Sequence, residues 1–262
     1  MLRPVITLLT DFGTADHFVG VMKGVIRGIC PEAEIVDLTH EVRPFEISQG
    51  AFLLAQAYRY FPPKTIHVAV VDPGVGTSRR PLLVETAKQY FIGPDNGVLA
   101  MAYVDQPHKA RAITADRFFL QPLSQTFHGR DIFAPVAAHL AAGVKPASFG
   151  KRVDDHLKLT FYDPQRTSKR AWSGTVLHID RFGNMVTNFH IAQFERVRTH
   201  PFELRIGPRM ITRLTLTYAE ADPGDPFAIV GSSGYLEIAA NQASAQSMTG
   251  CGIGAPCDLT LY

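Results

Sequence analysis

The sequence is short of charge and has no long hydrophobic run. Charged side chains make up 19% of the 262 residues, and the formal net charge is only +2. So small a charge, without a block of lysine and arginine, argues against nucleic-acid binding. No apolar stretch reaches the length of a membrane span, and the first residues lack the hydrophobic region of a signal peptide. We therefore expect a cytoplasmic protein that binds neither nucleic acid nor membrane.

Cysteine is also scarce, which argues against a disulfide framework. The three cysteines, Cys30, Cys251 and Cys257, follow no metal-binding spacing. A sparse, odd number of cysteines is typical of a reducing compartment. Hydrophobic residues, by contrast, make up 46% of the chain, enough for a sizeable core. The length fits one large domain or two small ones.

The first part of the chain alternates strand-like and helix-like patterns. Alternation of this kind is typical of a doubly wound, Rossmann-like α/β domain, which we predict over residues 1–160. Short apolar runs ending in turn residues predict strands, and apolar residues at helical spacing predict helices. The predicted strands are 5–10, 34–38, 65–71, 82–85 and 90–92, and the predicted helices begin at Phe18, Ile47 and Ile132 and end near Pro31, Phe61 and Ala142.

The pattern changes in the second part of the chain. Residues 150–170 are polar and predict a linker. Beyond them, short β-rich runs alternate with glycine turns, which is typical of a small β-sandwich or β-barrel. We expect a C-terminal β-barrel domain over residues 170–262. The predicted strands are 175–179, 202–206, 214–218, 226–230, 235–238 and 259–262.

Three polar segments of the α/β domain lie at predicted strand ends or in neighbouring loops. Ligands of open parallel sheets bind beyond the carboxyl ends of the strands. Asp11 and Asp16 follow the first strand, the segment "VVDPGVGTSRR" follows the third, and "TFHGRDIF" precedes a helix. The second part adds "HIDRFGNMVTNF" and "GSSGYLEIAANQ". Each segment also has a purely structural interpretation. An aspartate at a strand end is often a turn residue, Asp131 suits a helix start, and a single histidine is often structural.

Six segments in order strengthen the functional interpretation: "LLTDFGTADHFVGVMKGVI", "VVDPGVGTSRRPLLVE", "IGPDNGVL", "FHGRDIFAPVAAHLA", "IDRFGNMVTN" and "SSGYLEIAANQ". Together they resemble the S-adenosylmethionine hydroxide adenosyltransferase family, hydrolases related to fluorinase and chlorinase enzymes. The resemblance implies attack of water on the 5′ carbon of S-adenosylmethionine, giving adenosine and L-methionine without metal or cofactor. It also implies a homotrimer, with each active site between the N-terminal domain of one subunit and the C-terminal domain of the next.

The resemblance assigns roles to residues of the first domain. The water-activating triad of the family falls on Asp72, Arg79 and His128. The aspartate that binds the ribose hydroxyls falls on Asp11, and the one that faces the methionine portion falls on Asp16. Vicinal hydroxyls suit a bidentate carboxylate, and arginine suits a holding role because it cannot readily lose its proton.

Further roles fall on the second domain. Asp180 is expected to meet the methionine amino group, and Phe182 and Asn184 are expected to flank the nucleoside. The segment from Ser232 to Gln242 is expected to hold the methionine carboxylate and the adenine edge. Within it we select Ser232, Ser233, Glu237 and Ala240 as candidate substrate-binding residues. The fluorinase relatives carry basic side chains where this chain has Ser233 and Ala240.

Three alternatives remain open at this point. A halogenase would need a small desolvated halide pocket without a base, whereas this chain carries His128 and Arg79 in the matching motifs. A metal-dependent phosphohydrolase would use oxygen and nitrogen ligands. A non-catalytic nucleoside-binding module would bind adenosine without turnover. The ligands that the phosphohydrolase would use are Asp11, Asp16, Asp72, His128 and Asp131.

Overall fold

A computed structural model describes residues 3–158 and 163–262 of the chain. The chain divides into two compact units, Met1–Leu159 and Thr160–Tyr262. Among the described residues, no helix is both long and apolar enough to cross a membrane.

The first unit alternates strands and helices. Its strands are β1 (Val5–Thr10), β2 (Glu34–Thr39), β3 (Ile66–Val70), β4 (Pro81–Thr86), β5 (Tyr90–Pro94), β6 (His108–Ala112) and β7 (Arg152–Val153). Its α-helices are α1 (Phe18–Ile29), α2 (Ile47–Ala57), α3 (Ala100–Tyr103) and α4 (Ala134–Ala141). Short 3₁₀ helices span Tyr58–Tyr60, Asp116–Phe118 and Pro146–Ser148, and a π-helix spans Gly129–Phe133.

These strands form one seven-stranded sheet in the order β2-β1-β3-β5-β4-β6-β7. The four strands β2, β1, β3 and β5 are parallel, whereas β4, β6 and β7 pair antiparallel. The expectation of a parallel sheet is therefore correct for one half of the sheet and wrong for the other. The neighbours of β1 are β2 on one side and β3 on the other, which makes the carboxyl ends of β1 and β3 the switch point of the topology.

The sheet has helices on both faces because its central strand is apolar on both. Leu8 packs with Met22 and Ile26 of α1 in one core cluster. Leu9, the next residue of β1, packs with Leu54 of α2 in the other. Successive side chains of a strand point to opposite faces, so β1 contributes to two cores. The result is a three-layer α/β/α arrangement that fixes the strand ends where polar residues follow.

The second unit is built almost entirely of strands. They are β8 (Gln165–Arg166), β9 (Ala171–Ile179), β10 (Met185–His190), β11 (Phe202–Ile206), β12 (Arg209–Ile211), β13 (Leu214–Thr215), β14 (Pro226–Val230), β15 (Tyr235–Ala240) and β16 (Pro256–Leu261). One short helix, α5 (Ala245–Thr249), and 3₁₀ helices at Glu195–Arg198 and Tyr218–Glu220 complete it.

This second sheet is a curled sheet with two free ends. Its order is β12-β11-β16-β9-β10-β15-β14-β13, with β8 paired to β9. Ile211 of β12 and Ala228 of β14 share one core with Phe189 and Leu259, although β12 and β14 lie near opposite ends of that order. The sheet must therefore curl around this core. Because β12 and β13 do not pair with each other within the described strands, the expected β-barrel takes the form of a curled half-barrel.

Several sequence-based boundaries were wrong for identifiable reasons. The predicted linker 150–170 includes β7, which pairs with β6, and β8, which pairs with β9, while its residues 159–162 lie outside the described residues. Strand β10 was missed because five consecutive residues of it are buried, so no alternation of polar and apolar residues marks it. The predicted strand 214–218 ends at Thr215, and the predicted helix 47–61 ends at Ala57. The helix predicted from Ile132 begins earlier, with the π-helix.

Candidate active site

The first group of candidate residues lies at the switch point of the α/β sheet. Asp11 follows β1 directly, and Asp72 lies two residues beyond β3. Burial raises the pKa of Asp11 above its usual value, and the nearby charge of Asp72 adds to the rise, while hydrogen bonds oppose it. The two carboxylates predicted to share a site are therefore close enough to interact.

Asp11 is held by a residue that the sequence did not reveal. The backbone N–H of Phe45 donates a hydrogen bond of 2.9 Å to Oδ2 of Asp11. Phe45 adopts a left-handed φ of 70°, and 70% of its surface is exposed. A bulky residue in this conformation costs free energy, and such strain is concentrated at functional sites. An exposed aromatic ring beside a candidate ribose-binding carboxylate is well placed to contact a nucleoside.

Asp72, Arg79 and His128 form one connected cluster. Nε of Arg79 donates to Oδ1 of Asp72 at 3.0 Å, and Nη2 of Arg79 forms a short contact with Oδ2. The same Nη2 lies 2.8 Å from Nδ1 of His128. The Asp72 and Arg79 side chains are buried, and the guanidinium lies 5.3 Å from the centre of the Phe133 ring. The structure therefore brings together all three residues of the predicted triad.

The contact with Arg79 fixes the tautomer of His128. A guanidinium only donates hydrogen bonds, so Nδ1 of His128 must accept, and the ring proton of the neutral imidazole lies on Nε2. Burial, and then the charge of Arg79, lower the pKa of His128 below its ordinary value. The residue is therefore neutral near pH 7, with an N–H rather than a lone pair at Nε2.

Two donors in this cluster lack a well-formed hydrogen bond. Nη1 of Arg79 and Nε2 of His128 are buried, and neither makes a well-formed hydrogen bond in the described parts of the chain, although the backbone of Ser124 also interacts with the His128 ring. Buried donors without partners cost roughly 1–3 kcal/mol each, so they mark places where a ligand or water binds. The cluster can thus hold a small oxygen nucleophile between two donors.

Local helix geometry places His128 in the cluster. His128 precedes the π-helix Gly129–Phe133, which leads directly into α4. A π-helical turn widens the backbone and is frequent at functional sites. The next acidic residue, Asp131, faces elsewhere. It pairs with Arg130 at 2.5 Å and accepts a hydrogen bond of 2.8 Å from the Ser124 N–H.

The metal-site alternative lacks its ligand cluster. Within residues 3–158 and 163–262, no group of three or more histidine, cysteine or acidic side chains is arranged to hold a metal ion. Asp16, which that alternative also needs, is exposed in the loop before α1. Its predicted role toward the methionine portion of a substrate stays a prediction.

The second group of candidate residues lies in a tight turn between β9 and β10. Asp180 accepts hydrogen bonds from the N–H groups of Phe182 and Asn184, both at 2.9 Å, and from Nδ2 of Asn184 at 2.8 Å. Gly183 completes the turn with a φ of 85°, where an added Cβ would lie 2.1 Å from Oγ of Ser244. Only glycine fits there, because both the backbone conformation and the close approach exclude a side chain.

This turn forms one wall of an open pocket of about 620 Å³ in the second unit. Phe182 is 78% exposed, which leaves its ring free to contact a ligand. The predicted residues Asp180, Phe182, Asn184 and Ala240 all line the pocket, as does Gln242 at the end of the predicted segment from Ser232 to Gln242. Sequence reasoning missed three others, Tyr218, Ala243 and Ser244.

The remaining predicted residues lie outside the lining of this pocket. Ser232 and Ser233 form the turn between β14 and β15, with Ser232 exposed. Glu237 is buried on β15, where burial, with the charge of Asp180, raises its pKa to about 7. Glu237 therefore interacts with the pocket residue Asp180 without lining the pocket itself.

Comparison with known proteins finds matches to both units of the chain. Two family models match the chain, the S-adenosylmethionine hydroxide adenosyltransferase N-terminal domain over residues 6–150 and the C-terminal domain over residues 174–258. A Thermus thermophilus protein named (R)-S-adenosyl-L-methionine hydrolase is 36% identical, over 98% of this chain and 100% of its own length. A fluorinase from Actinopolyspora mzabensis is 28% identical over 92% of each chain.

A solved structure has the same fold. The crystal structure of an uncharacterized conserved protein from Thermotoga maritima matches with a TM-score of 0.89 and 36% identity, covering 97% of this chain and 99% of that one. The family models together span most of the chain, and the relatives match nearly end to end. The chain belongs to the S-adenosylmethionine hydroxide adenosyltransferase family.

Proposed function

We propose that the protein hydrolyses S-adenosyl-L-methionine to adenosine and L-methionine. The curated relatives at 36% identity carry the name of this hydrolase, whereas the fluorinases are more distant at 27% to 29%. The observation that carries the proposal is the Asp72–Arg79–His128 cluster, with its two buried donors that lack a well-formed hydrogen bond. It fits an oxygen nucleophile.

The reaction places the chemical demand on the nucleophile. The oxygen of water forms a bond to the 5′ carbon, the bond from that carbon to sulfur breaks, and its electron pair stays on sulfur. The leaving group is a neutral thioether, so no general acid is required. Water is a poor nucleophile and must be held in line, stripped of solvent and relieved of a proton.

The three residues divide this task. One lone pair of the water accepts from Nε2–H of His128 or Nη1–H of Arg79, which stabilises its developing hydroxide character, and the other lone pair attacks the 5′ carbon. Asp72 takes the proton, because a carboxylate has about four acceptor positions and Arg79 occupies two of them. His128 acts as a donor, since its Nδ1 lone pair is already used by Arg79.

We assign the substrate contacts as the sequence predicts. Asp11 binds the ribose hydroxyls, and Asp16 faces the methionine portion. Asp180 binds the methionine amino group, because its three hydrogen bonds leave about one acceptor position open. The remaining contacts come from the second unit. These are Phe182 and Asn184 at the nucleoside, and Ser232, Ser233, Glu237 and Ala240 toward the methionine carboxylate and the adenine edge.

We also propose that the protein is a homotrimer whose active site joins residues of two subunits. The proposed contacts are divided between the two units, with the triad and ribose residues in the first and the pocket residues in the second. Mixing an Asp11→Ala protein with an Asn184→Ala protein tests this arrangement. Mixed oligomers should regain activity, because one interface then pairs two unsubstituted halves. No recovery, or a fully active monomer in light scattering, would contradict the shared site.

Chromatography after incubation with S-adenosylmethionine tests the reaction itself. We expect adenosine and methionine in equal amounts, with activity retained in excess EDTA. The halogenase alternative instead predicts a 5′-halogenated nucleoside when chloride or fluoride is added. Binding of adenosine without any turnover would support a nucleoside-binding module, and loss of activity in EDTA that is restored by a divalent ion would support the phosphohydrolase.

A further inference from the structure

The segment "IGPDNGVL" is one of the six motifs of the chain, and the proposed function gives it no role. Its first residues belong to β5, and Asp95 and Asn96 follow that strand directly. In the sheet, β5 lies between β3, to which it is parallel, and β4, to which it is antiparallel. The connection from β3 to β4, residues 71–80, therefore passes over the carboxyl end of β5. Its two ends lie on either side of Asp95 and Asn96.

This connection carries two of the three residues of the proposed triad. Asp72 is its second residue, and Arg79 is the second residue from its end. The ion pair between Asp72 and Arg79 closes the connection on itself. The relative position of these two side chains therefore depends on how the two ends of the connection are held.

Asn96 holds the first end of the connection. Its Nδ2 donates a hydrogen bond of 2.8 Å to the carbonyl oxygen of Val71, a fully buried residue. Its Oδ1 accepts a hydrogen bond of 3.1 Å from the N–H of Val98, which fixes the orientation of the amide. The Val71 carbonyl belongs to the planar peptide group that precedes Asp72. Asn96 thus orients the backbone from which the Asp72 side chain extends.

Asp95 holds the second end of the connection. The backbone N–H of Asp95 donates a hydrogen bond of 2.8 Å to the carbonyl oxygen of Arg80. Its Oδ2 accepts hydrogen bonds from Nε and Nη2 of Arg80, at 3.1 Å and 2.7 Å. The Asp95 side chain is only 5% exposed, so solvent screens this ion pair weakly. Because Arg80 follows Arg79 in the chain, these contacts fix the backbone beside the triad arginine.

We propose that Asp95 and Asn96 are positioning residues for the activation of water. They set the relative position of Asp72 and Arg79 by holding both ends of the connection between β3 and β4. Both act through the backbone rather than by contact with the reacting water. The inference rests on the proposed function for the role of the triad. A misplacement of about 1 Å in a reacting group costs about a hundredfold in rate.

Asn96→Ala tests the inference, with Gln89→Ala as its matched control. Gln89 precedes β5 at its other end and is buried, and its Nε2 donates to the carbonyl oxygens of Tyr58 and Phe61 at 3.0 Å each. Both variants lose an amide that binds backbone carbonyl groups, so both should lose unfolding free energy. Only Asn96→Ala should lower kcat, by about tenfold to a hundredfold. The Kd of adenosine should change less than about twofold in either variant.

A double-mutant cycle shows whether Asn96 acts through Asp72. If it does, Asn96→Ala should lower kcat less than about threefold in the Asp72→Asn protein, because the charge that Asn96 positions is already gone. Fully multiplicative effects of the two substitutions would overturn the inference. An equal fall of kcat in Gln89→Ala, or a kcat of Asn96→Ala near that of the unsubstituted protein, would overturn it as well.

Asn96→Asp keeps the inference testable if the alanine variant does not fold. It retains the shape of the side chain and the acceptor for the Val98 N–H, but it places an oxygen where Nδ2 donates to the Val71 carbonyl. We expect the same selective fall in kcat with unchanged adenosine affinity. An unchanged kcat in Asn96→Asp would contradict the positioning role.

The outcome is separable from that of the proposed function. NMR of the ¹⁵N-labelled histidine rings reports on the contact between Arg79 and His128 without any turnover. Because Arg79 moves with Asp72, Asn96→Ala should change the signals of the His128 ring, whereas Gln89→Ala should not. If the unsubstituted protein formed no adenosine, the hydrolase would be contradicted, and changed His128 signals would still support the positioning role. Unchanged His128 signals in Asn96→Ala would overturn that role whether or not the protein is a hydrolase.

Discussion

The two candidate regions of the molecule handle charge in opposite ways. In the first unit, the carboxylate of Asp72 is bound by the guanidinium of Arg79, and the neutral ring of His128 completes the cluster. In the second unit, Asp180 accepts hydrogen bonds from neutral donors, and its charge acts on a second carboxyl group, that of Glu237. A paired cluster is suited to polarising a neutral water molecule. A region with two neighbouring carboxyl groups is suited to receiving a cation.

The contrast also explains the protonation states of His128 in the first unit and Glu237 in the second. At His128, a fixed neighbouring cation and burial both favour the neutral ring. At Glu237, burial and a neighbouring anion favour the neutral acid. In both cases burial favours the neutral form, and the neighbouring charge adds to its effect.

The largest effect is expected from Asp72→Asn. The substitution keeps the size of the side chain but removes the charge that takes a proton from water. Losing a positioned base costs about a hundredfold to ten-thousandfold in kcat. Adenosine affinity, measured by calorimetry, should change little, because the proposed role is confined to the transition state. A collapse of adenosine binding with kcat near that of the unsubstituted protein would show that Asp72 does not activate the water.

A smaller effect, mainly on binding, is expected from Asp11→Asn. Hydrogen bonds to a charged group contribute about 1.5–3 kcal/mol, so the KM should rise about tenfold to a hundredfold. Because ribose hydroxyls are present in substrate and product alike, adenosine affinity should fall in parallel with little change in kcat. Asp105→Asn, at an exposed aspartate of the same unit, is the control. A fall in kcat with unchanged adenosine affinity would place Asp11 in the chemistry instead.

The pH dependence of kcat should report on His128. Protonation of Nδ1 destroys the acceptor for Arg79 and places two positive charges side by side. Because the pKa of His128 is lowered, kcat should be constant above the ordinary histidine value of 6.5 and fall only below it. The fall should approach about tenfold per pH unit. At saturating substrate, an acid limb with a midpoint above 6.5 would contradict the assigned neutral ring.

The smallest effect is expected from alanine substitutions of two glycines, which separate the cost of backbone strain from the cost of close packing in the pocket turn. Gly183 and Gly224 have nearly equal φ values, 85° and 83°, but only at Gly183 would an added Cβ meet a neighbour, Ser244. Gly224→Ala should cost about 1 kcal/mol of unfolding free energy from backbone strain alone. Gly183→Ala should cost about 1–3 kcal/mol more, because the added Cβ would displace Ser244, the residue that caps the N-terminus of α5. Urea denaturation of both variants gives the difference between their unfolding free energies. Equal losses would mean that the turn can shift away from Ser244 without cost.

Much of the first unit could be predicted because its signals are local. Strand β1 reads directly from "VITLLT", and the polar residues beyond the strand ends indicate where a site forms. The antiparallel pairing of β4 and β6 could not be predicted from the sequence, because the register and direction of a strand depend on partner strands that are distant in the chain. The same holds for the hydrogen bond from Phe45 to Asp11, which spans 34 residues of sequence.

In the second unit, the family motif "IDRFGNMVTN" located the turn from Asp180 to Asn184 but not the whole pocket. Tyr218 lies in a segment predicted as a strand, and only the 3₁₀ helix that begins there brings it to the pocket wall. The sequence marked Glu237 as a candidate substrate-binding residue but could not show that it is buried and outside the pocket lining. Its burial and its proximity to Asp180 arise only in the folded sheet.

Hydrolysis of S-adenosylmethionine in ¹⁸O-labelled water is the most direct test of the central claim, that this protein directs a water molecule to the 5′ carbon. Mass spectrometry of the products follows the label. We predict one ¹⁸O atom in adenosine, at the 5′ hydroxyl, and none in methionine. Unlabelled adenosine, label in methionine, or a 5′-halogenated nucleoside as the main product would contradict the account.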